Sequence, residues 1–365
     1  MSRLKIGVLT FHRCINYGSF WQAKCLADGL RAFGHDVNIL DHTSKRINIS
    51  EWKCGFQPLL PSSVPEKHKT LYREKMKLFF AAFQKLPLSL QFSLEDPGNM
   101  EDYDIVIVGS DEVWNLSHPW YGRHGLFYGD HVQAKKLISY AASFGNYDSS
   151  LGLDSHWIQK LERFDRISVR DENSRTIITN GTGREPSLVL DPCLQFHILP
   201  EYRNNYSEDP YIAIYGHNFS CSFKYHVTEF ARRNKLKTIS IGYSNDWVDE
   251  EWINADPHDF AHFIGSATSV ATNFFHGCIF SIRNNKPFVC ESSSYRSNKI
   301  NGLMNKIGGQ MHIANEATSH PQFEELLSAP IHGSVYKSIA RLRSASNEYL
   351  VSALTLNKMM HDEIS

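Results

Sequence analysis

The sequence predicts an α/β fold of two successive strand–helix domains, and three observations lead there. Lys5 to Phe11 is an apolar run, followed by an amphipathic stretch and a second apolar run, Val37 to Leu40, which together make a βαβ opening. Tyr103 to Val108 (YDIVIV) is apolar without a break from Ile105 on, as a parallel strand buried on both faces is, and it runs into the small pair Gly109-Ser110. After a polar, turn-rich stretch the alternation resumes and reaches Ser269 to Val289, SVATNFFHGCIFSIRNNKPFV. That segment reads as strand, tight turn, short helix and strand, with His276 in the first turn of the helix.

A chain of 365 residues, 42% hydrophobic and 21% charged, is long enough for two domains with real cores. The formal net charge is -1 and the basic residues form no run, which argues against a nucleic-acid or membrane-surface protein and means that an anionic ligand must be held by a local cluster. Seven cysteines without a CxxC pair read as buried, reduced thiols of a cytosolic protein. The opening MSRLKIGVLTFH enters a strand directly and no apolar run reaches bilayer length, so the expected location is cytoplasmic, with the inner face of the membrane open to a lipid-borne substrate. The 18 histidines are scattered and no metal site is expected.

Taken in order, Lys5–Phe11 is a strand and Ser19–Phe33 a helix with Leu26, Leu30 and Phe33 on one face. Ser19 and Gln22 suit a capping box and Gly34 a C′ position. The loop between them carries Asn16, Tyr17 and Gly18 to the strand's carboxyl edge, either as a turn or as ligand contacts. It is not GxGxxG, so no nicotinamide cofactor is expected. Residues 43 to 100 read as an insertion flanking the cleft, with one convincing helix over Glu66–Leu86. GSDEVWN follows the YDIVIV strand and projects Ser110, Asp111, Trp114 and Asn115. An aromatic ring beside a carboxylate is a common sugar site, and Asp111 could equally cap a helix. Lys136–Phe144 is a strand ending on Ser143-Phe144-Gly145. Ser155–Phe164 is helical, and Ile167–Arg170 is a short strand whose Arg170 is followed by two acids. LVLDP closes this half.

The boundary is expected at 195 to 210, giving domains 1–200 and 201–332 and a C-terminal helix over 333–365. In the second half Tyr211–Tyr215 and Lys237–Ile241 are strands, and Phe223–Asn234 and Pro257–Ser266 helices, with Trp247 and Trp252 in a loop. Val335, Ile339, Leu342, Tyr349, Ala353, Leu356 and Met360 make the last helix amphipathic, suited to packing on the first domain or to a homodimer contact. In open α/β sheets ligands sit beyond the carboxyl ends of strands, where His276 lies. A helix N-terminus disfavours imidazolium, and a neutral imidazole can take a proton from a sugar hydroxyl.

These motifs in this order, NYGS (Asn16–Ser19), GSDEVWN, SYAASFG (Ser139–Gly145), ISVRDENS (Ile167–Ser174), LDP, TNFFHG (Thr272–Gly277), KPF and YRSNK (Tyr295–Lys299), resemble the polysaccharide pyruvyl transferase family. The resemblance implies two Rossmann-like domains facing a cleft in a GT-B-like arrangement, with the first domain on the acceptor side and the second on the donor side. It also implies transfer of the pyruvyl group of phosphoenolpyruvate to two hydroxyls of a lipid-linked or nucleotide-linked sugar, giving a cyclic ketal, with no cofactor beyond that donor. His276 and Arg170 would then be catalytic. Arg296, Lys299, Gly277 and Arg283 would hold the donor, and Asn16, Tyr17, Gly18, Ser110, Asp111, Trp114, Ser143 and Phe144 the acceptor. Some members carry arginine two residues before this histidine, where this chain has Phe274, so another cation must hold the donor's anions. A GT-B glycosyltransferase using a nucleotide sugar and a non-catalytic scaffold are the competing readings. Acceptor specificity is expected in 43 to 100 and in the Trp247 and Trp252 loop.

Overall fold

The computed structural model describes residues 3–201, 203–292 and 297–356. The chain opens with β1 (Lys5–Leu9), α1 (Tyr17–Ala32) and β2 (Asp36–Ile39). Asn16 caps α1 by accepting from the amides of Gly18 and Ser19, so the expected Ser19–Gln22 box does not form; Gln22 instead donates to the Thr10 hydroxyl. Gly34, with φ of 90°, ends the helix as expected.

The insertion holds β3 (His42–Thr43), α2 (Lys45–Phe56), α3 (Lys69–Phe83) and β4 (Phe92–Ser93). Its α2 is a helix that the sequence reading missed. Then come β5 (Tyr103–Val108), β6 (Ala134–Ser139), α4 (Ser155–Glu162), β7 (Ser168–Val169), α5 (Glu172–Thr182), β8 (Ser187–Leu188) and α6 (Pro192–Gln195). The first sheet is parallel in the order β2-β1-β5-β6. Central strands β1 and β5 are buried on both faces apart from Lys5 and Asp104, which is why the rest of each reads as an apolar run.

The second half contains β9 (Tyr211–Tyr215), α7 (Cys221–Asn234), β10 (Lys237–Ile241), β11 (Glu250–Trp252), α8 (Pro257–Ser266), β12 (Ser269–Thr272) and α9 (Phe275–Arg283). It continues with β13 (Phe288–Glu291), α10 (Ser297–Ile307), β14 (Ile313–Ala314), α11 (His320–Ser328) and α12 (Gly333–Ala353). Its six strands are parallel in the order β11-β10-β9-β12-β13-β14. In each sheet the order reverses about a central pair, β1/β5 in the first and β9/β12 in the second. The loops after these four strands therefore open into a crevice.

α12 packs back on the chain. The Tyr349 hydroxyl donates to the Ser139 carbonyl at 2.6 Å, the Leu190 amide donates to Ser346 Oγ at 2.9 Å, and Tyr336 reaches the Ile282 carbonyl at 3.3 Å. The helix ends at Ala353 with Leu354 as its cap, so Leu356 falls beyond it, shorter than the expected 333–365; Met360 lies outside the described residues. Between the halves, Tyr17 and Trp21 of α1 are fully buried and donate to the carbonyls of Ala255 and Pro257 at 2.9 and 2.7 Å. Tyr17 also stacks on Phe260, 4.6 Å between ring centroids. The two halves thus share one apolar contact beneath the crevice.

Candidate functional site

A cleft of about 340 Å³ lies where the loops meet. It is lined by Asn16 and Ser19 after β1, Asp111 and Glu112 after β5, Arg170 after β7, His217 after β9, Tyr243 after β10, and Phe274, Phe275 and His276 after β12. Glu51, Cys54 and Gly55 of α2, Lys75 of α3 and Lys299 of α10 complete it. The insertion thus flanks the cleft.

His276 sits in the first turn of α9, and its capping residue, Phe274, offers the helix no side-chain acceptor. Its Nε2 is buried and lies 3.6 Å from Asp191 Oδ2, just beyond hydrogen-bond length. On the other side, Nδ1 lies against Gly18. A Cβ at that glycine would fall 2.0 Å from Nδ1, so only glycine leaves room for the ring. Asp191 follows β8 and is itself capped onto the Cys193 amide. Burial alone would push its carboxyl up, but His276, the Arg170 guanidinium and the Cys193 amide outweigh it and hold it down at about 2. An ionised carboxylate therefore stands behind the imidazole at neutral pH.

Arg170 joins this pair to the other edge of the cleft. It is buried, with Nη1 3.2 Å from Asp191 Oδ2 and Nη2 3.5 Å from Asp111 Oδ1, and its guanidinium lies 5.0 Å from the centre of the Phe275 ring. Asp111 has φ of 88° and accepts from Ser19 Oγ at 2.7 Å. No helix follows Asp111, so it is not a cap. Lys299 crosses from the second half to pair with Glu112. Burial pulls the Lys299 ammonium down to about 8, against the nearby carboxylate of Asp111. Asp191, Cys193 and His276 also bring ligand atoms within 4.8 Å of one another, but Arg170 already sits as the cation on Asp191.

Several expected contacts fall elsewhere. Tyr17 is the buried bridge between the halves, whereas Asn16 does line the cleft, with its Oδ1 taken by the α1 cap. Trp114 is fully buried and donates to the Phe127 carbonyl; Phe144 packs beside it, 5.7 Å between ring centroids. Neither ring can stack on a sugar. Ser143 donates to Asp171 at 2.6 Å, and Ser110 is fully buried, its carbonyl accepting from Thr10. Arg283, at the far end of α9, is taken up by the Ile198 carbonyl and by Cys25 Sγ at 3.6 Å. Gly277 packs against Thr272, and its amide already donates to the Phe274 carbonyl. Arg296 lies outside the described residues. Trp247 and Trp252 do not line the cleft, and Trp252 stacks on Tyr206.

What the sequence reading missed is as informative. Trp120, six residues beyond Trp114, is the tryptophan that lines the cleft, its indole held by Glu51 at 2.7 Å. Tyr215, Tyr243 and Phe274 form an aromatic wall, with Phe274 4.9 and 5.1 Å from the two tyrosine rings. Lys75 faces the cleft from α3, donating to the Gly242 carbonyl at 2.8 Å with its ammonium 4.9 and 4.4 Å from the rings of Tyr17 and Tyr243. A lysine inside the stripe Tyr72, Met76, Phe79 and Phe83 was the available signal.

Burial brings the Lys75 ammonium down to about 7, with Cys54 opposing. Because the folded value lies below the unfolded one near 10.4, Lys75 costs stability at pH 7, and that cost shrinks as pH rises towards 10.4. Lys75→Met should therefore be more stable than the parent in denaturant titrations at pH 7, with the gap narrowing by pH 10; a gap independent of pH would refute this.

Two parallel sheets that meet through their strand carboxyl ends give the protein a GT-B-type α/β fold. A solved UDP-GlcNAc 2-epimerase from Neisseria meningitidis, bound to UDP-GlcNAc, has the same fold, with 8% identity, 95% of this chain and 100% of that chain covered, and a TM-score of 0.50. The UDP-GlcNAc 2-epimerase from Methanocaldococcus jannaschii (11% identity, 94% and 99% covered, TM-score 0.48) and a Streptomyces glycosyltransferase complexed with thymidine diphosphate (11% identity, 95% and 96% covered, TM-score 0.43) are also similar. A family model for polysaccharide pyruvyl transferase matches residues 16–295, and the chain belongs to that family. No curated protein matches the sequence. Among the described residues, no helix is long and apolar enough to cross a membrane.

Gly18→Ala tests how closely the histidine is held. Alanine favours the helix by roughly 0.5–1 kcal/mol, so Tm should change little, while the clash displaces the ring and turnover should fall by about 10²-fold. An activity assay alongside a melting curve checks this, and wild-type turnover would show that the ring has room to move.

Proposed function

We propose that the protein transfers the pyruvyl group of phosphoenolpyruvate to two hydroxyls of a sugar in a polysaccharide or glycolipid precursor, forming a cyclic pyruvate ketal and releasing phosphate. The observation that carries this reading is His276, backed by Asp191 and set beside Arg170, in a cleft that Lys299 and Lys75 also line. A donor carrying carboxylate and phosphate calls for such fixed cations. Among the described residues Arg170 and Lys299 are already matched by carboxylates, and Lys75, facing a carbonyl and ring faces, is the cation we assign to the donor's anions, whose approach favours its charged form.

Protonation of the vinyl carbon makes it a methyl group and leaves a cationic carbon. One sugar oxygen adds there, phosphate departs, and the second oxygen closes the ketal. Of the two hydroxyl protons, one balances the new methyl hydrogen and the other leaves on phosphate. With Nε2–H directed at Asp191, Nδ1 is the basic nitrogen that receives a hydroxyl proton and passes it on. Asp191 stabilises the imidazolium formed in between.

Thermal stabilisation tests the donor. Phosphoenolpyruvate should raise Tm and a uridine-diphosphate sugar should not. The reverse result points to glycosyl transfer. Stabilisation by neither, with no phosphate released in the presence of pyranosides bearing free 4- and 6-hydroxyls, points to a scaffold.

A further inference from the structure

Helix α2 has two unlike faces. At 100° per residue, Ile47, Glu51 and Gly55 share one side. All three are buried, and Glu51 and Gly55 line the cleft. The opposite side carries Ile49, Trp52 and Phe56, which are 40%, 45% and 38% exposed, and Leu60 just beyond the helix is 65% exposed. Lys45, Arg46 and Lys53 flank this stripe and are exposed. Glu51, the helix's only carboxylate, is turned inward and buried. The outward surface of α2 is therefore apolar and cationic, with no acid of its own.

A water-facing helix does not ordinarily present a tryptophan, a phenylalanine and an isoleucine in one row. Large apolar side chains bordered by lysine and arginine on a short helix are the pattern of an element lying in a lipid interface. A second copy of this chain is a poor occupant, because a two-fold contact through this face would bring its cations together with no outward acid of α2 to match them. An anionic lipid surface matches both the charge and the apolar row. Net charge over the whole chain hides this, since the basic residues concerned are three within about two and a half turns of one helix.

We propose that the outward face of α2, through Ile49, Trp52, Phe56 and Leu60 with Lys45 and Lys53, docks the protein on an anionic lipid surface. The cleft on the other side of the same helix then opens beside the membrane. Only the corollary, that a lipid-linked sugar reaches the cleft from that surface, rests on the proposed function; the docking itself does not.

The test is co-sedimentation of the full-length protein with vesicles of phosphatidylcholine alone and of phosphatidylcholine with phosphatidylglycerol. Binding is expected to the anionic vesicles and to weaken with salt. Lys45→Glu/Lys53→Glu should reduce it by about 30-fold or more, two cations each contributing roughly tenfold or somewhat less. Trp52→Ser/Phe56→Ser should abolish it, with Tm and the phosphoenolpyruvate-induced shift retained in both variants. Failure of the parent protein to bind anionic vesicles, or equal binding by either variant, overturns the proposal. So does a sedimentation-velocity dimer that Trp52→Ser/Phe56→Ser converts to monomer without any lipid binding. Vesicle binding without phosphoenolpyruvate stabilisation would leave the docking surface standing and sink the proposed reaction.

Discussion

His276→Ala is expected to lower the rate of phosphate release by about 10²- to 10⁴-fold, with Tm and the phosphoenolpyruvate-induced thermal shift close to those of the parent. The ring is partly exposed at the cleft and makes no hydrogen bond shorter than the 3.6 Å approach to Asp191, so its removal leaves little unsatisfied. Asp191 keeps Arg170 at 3.2 Å and the Cys193 amide at 2.9 Å. Asp191→Asn should then show a smaller loss of turnover, because the ring loses its orienting carboxylate but remains in place. Turnover in His276→Ala within a few-fold of the parent would remove the histidine from the chemistry.

Arg170→Ala is expected to cost about 3–5 kcal/mol of stability in addition to activity, in contrast to the histidine variant. The guanidinium is the buried partner of two carboxylates, and truncating it strands Asp191, whose side chain is 1% exposed, without a cation. The acid limb of the stability curve should change as well. Asp191 lies below its unfolded value near 3.9, so it contributes stability that is present above pH 4 and lost as pH falls towards 2. That contribution, of the order of 2 kcal/mol in the parent, should shrink in Arg170→Ala and be largely restored in Arg170→Lys. A variant as stable as the parent at pH 7, with an unchanged acid limb, would mean that the arginine is only a ligand contact.

Much of the architecture was legible because buried strands leave short apolar runs or, as in KTISI, apolar residues at every second position. Tyr103–Val108, Tyr211–Tyr215 and Lys237–Ile241 have the bounds that their sequences indicate. Pro257–Ser266 was equally plain, since Asp256 and Asp259 build its capping box. Helix α2 was not, because its one buried face is Ile47, Glu51 and Gly55, a set with no apolar period. The aromatic contact was placed on Trp114 rather than Trp120 for a related reason. Both follow the same strand, and only the packing of Phe127 and Phe144 around Trp114 shows which ring is used up in the core.

His276 at the mouth of a strand–turn–helix, and Arg170 at a strand end, follow from local chain pattern alone, as does membership of a family recognised by ordered motifs. Which polar groups remain for a ligand does not. Tyr17, Ser143, Arg283 and the Gly277 amide look available in the sequence and are consumed internally by Ala255, Asp171, Ile198 and Phe274. Asp191, visible in the sequence only as part of LDP with no role of its own, and Lys75, unremarked there, face the histidine and the cleft. The physical reason is that periodicity and capping, the Gly277 amide included, depend on neighbours three or four residues away, whereas burial, charge pairing and the other hydrogen bonds here depend on residues brought together from 28 to 238 positions apart.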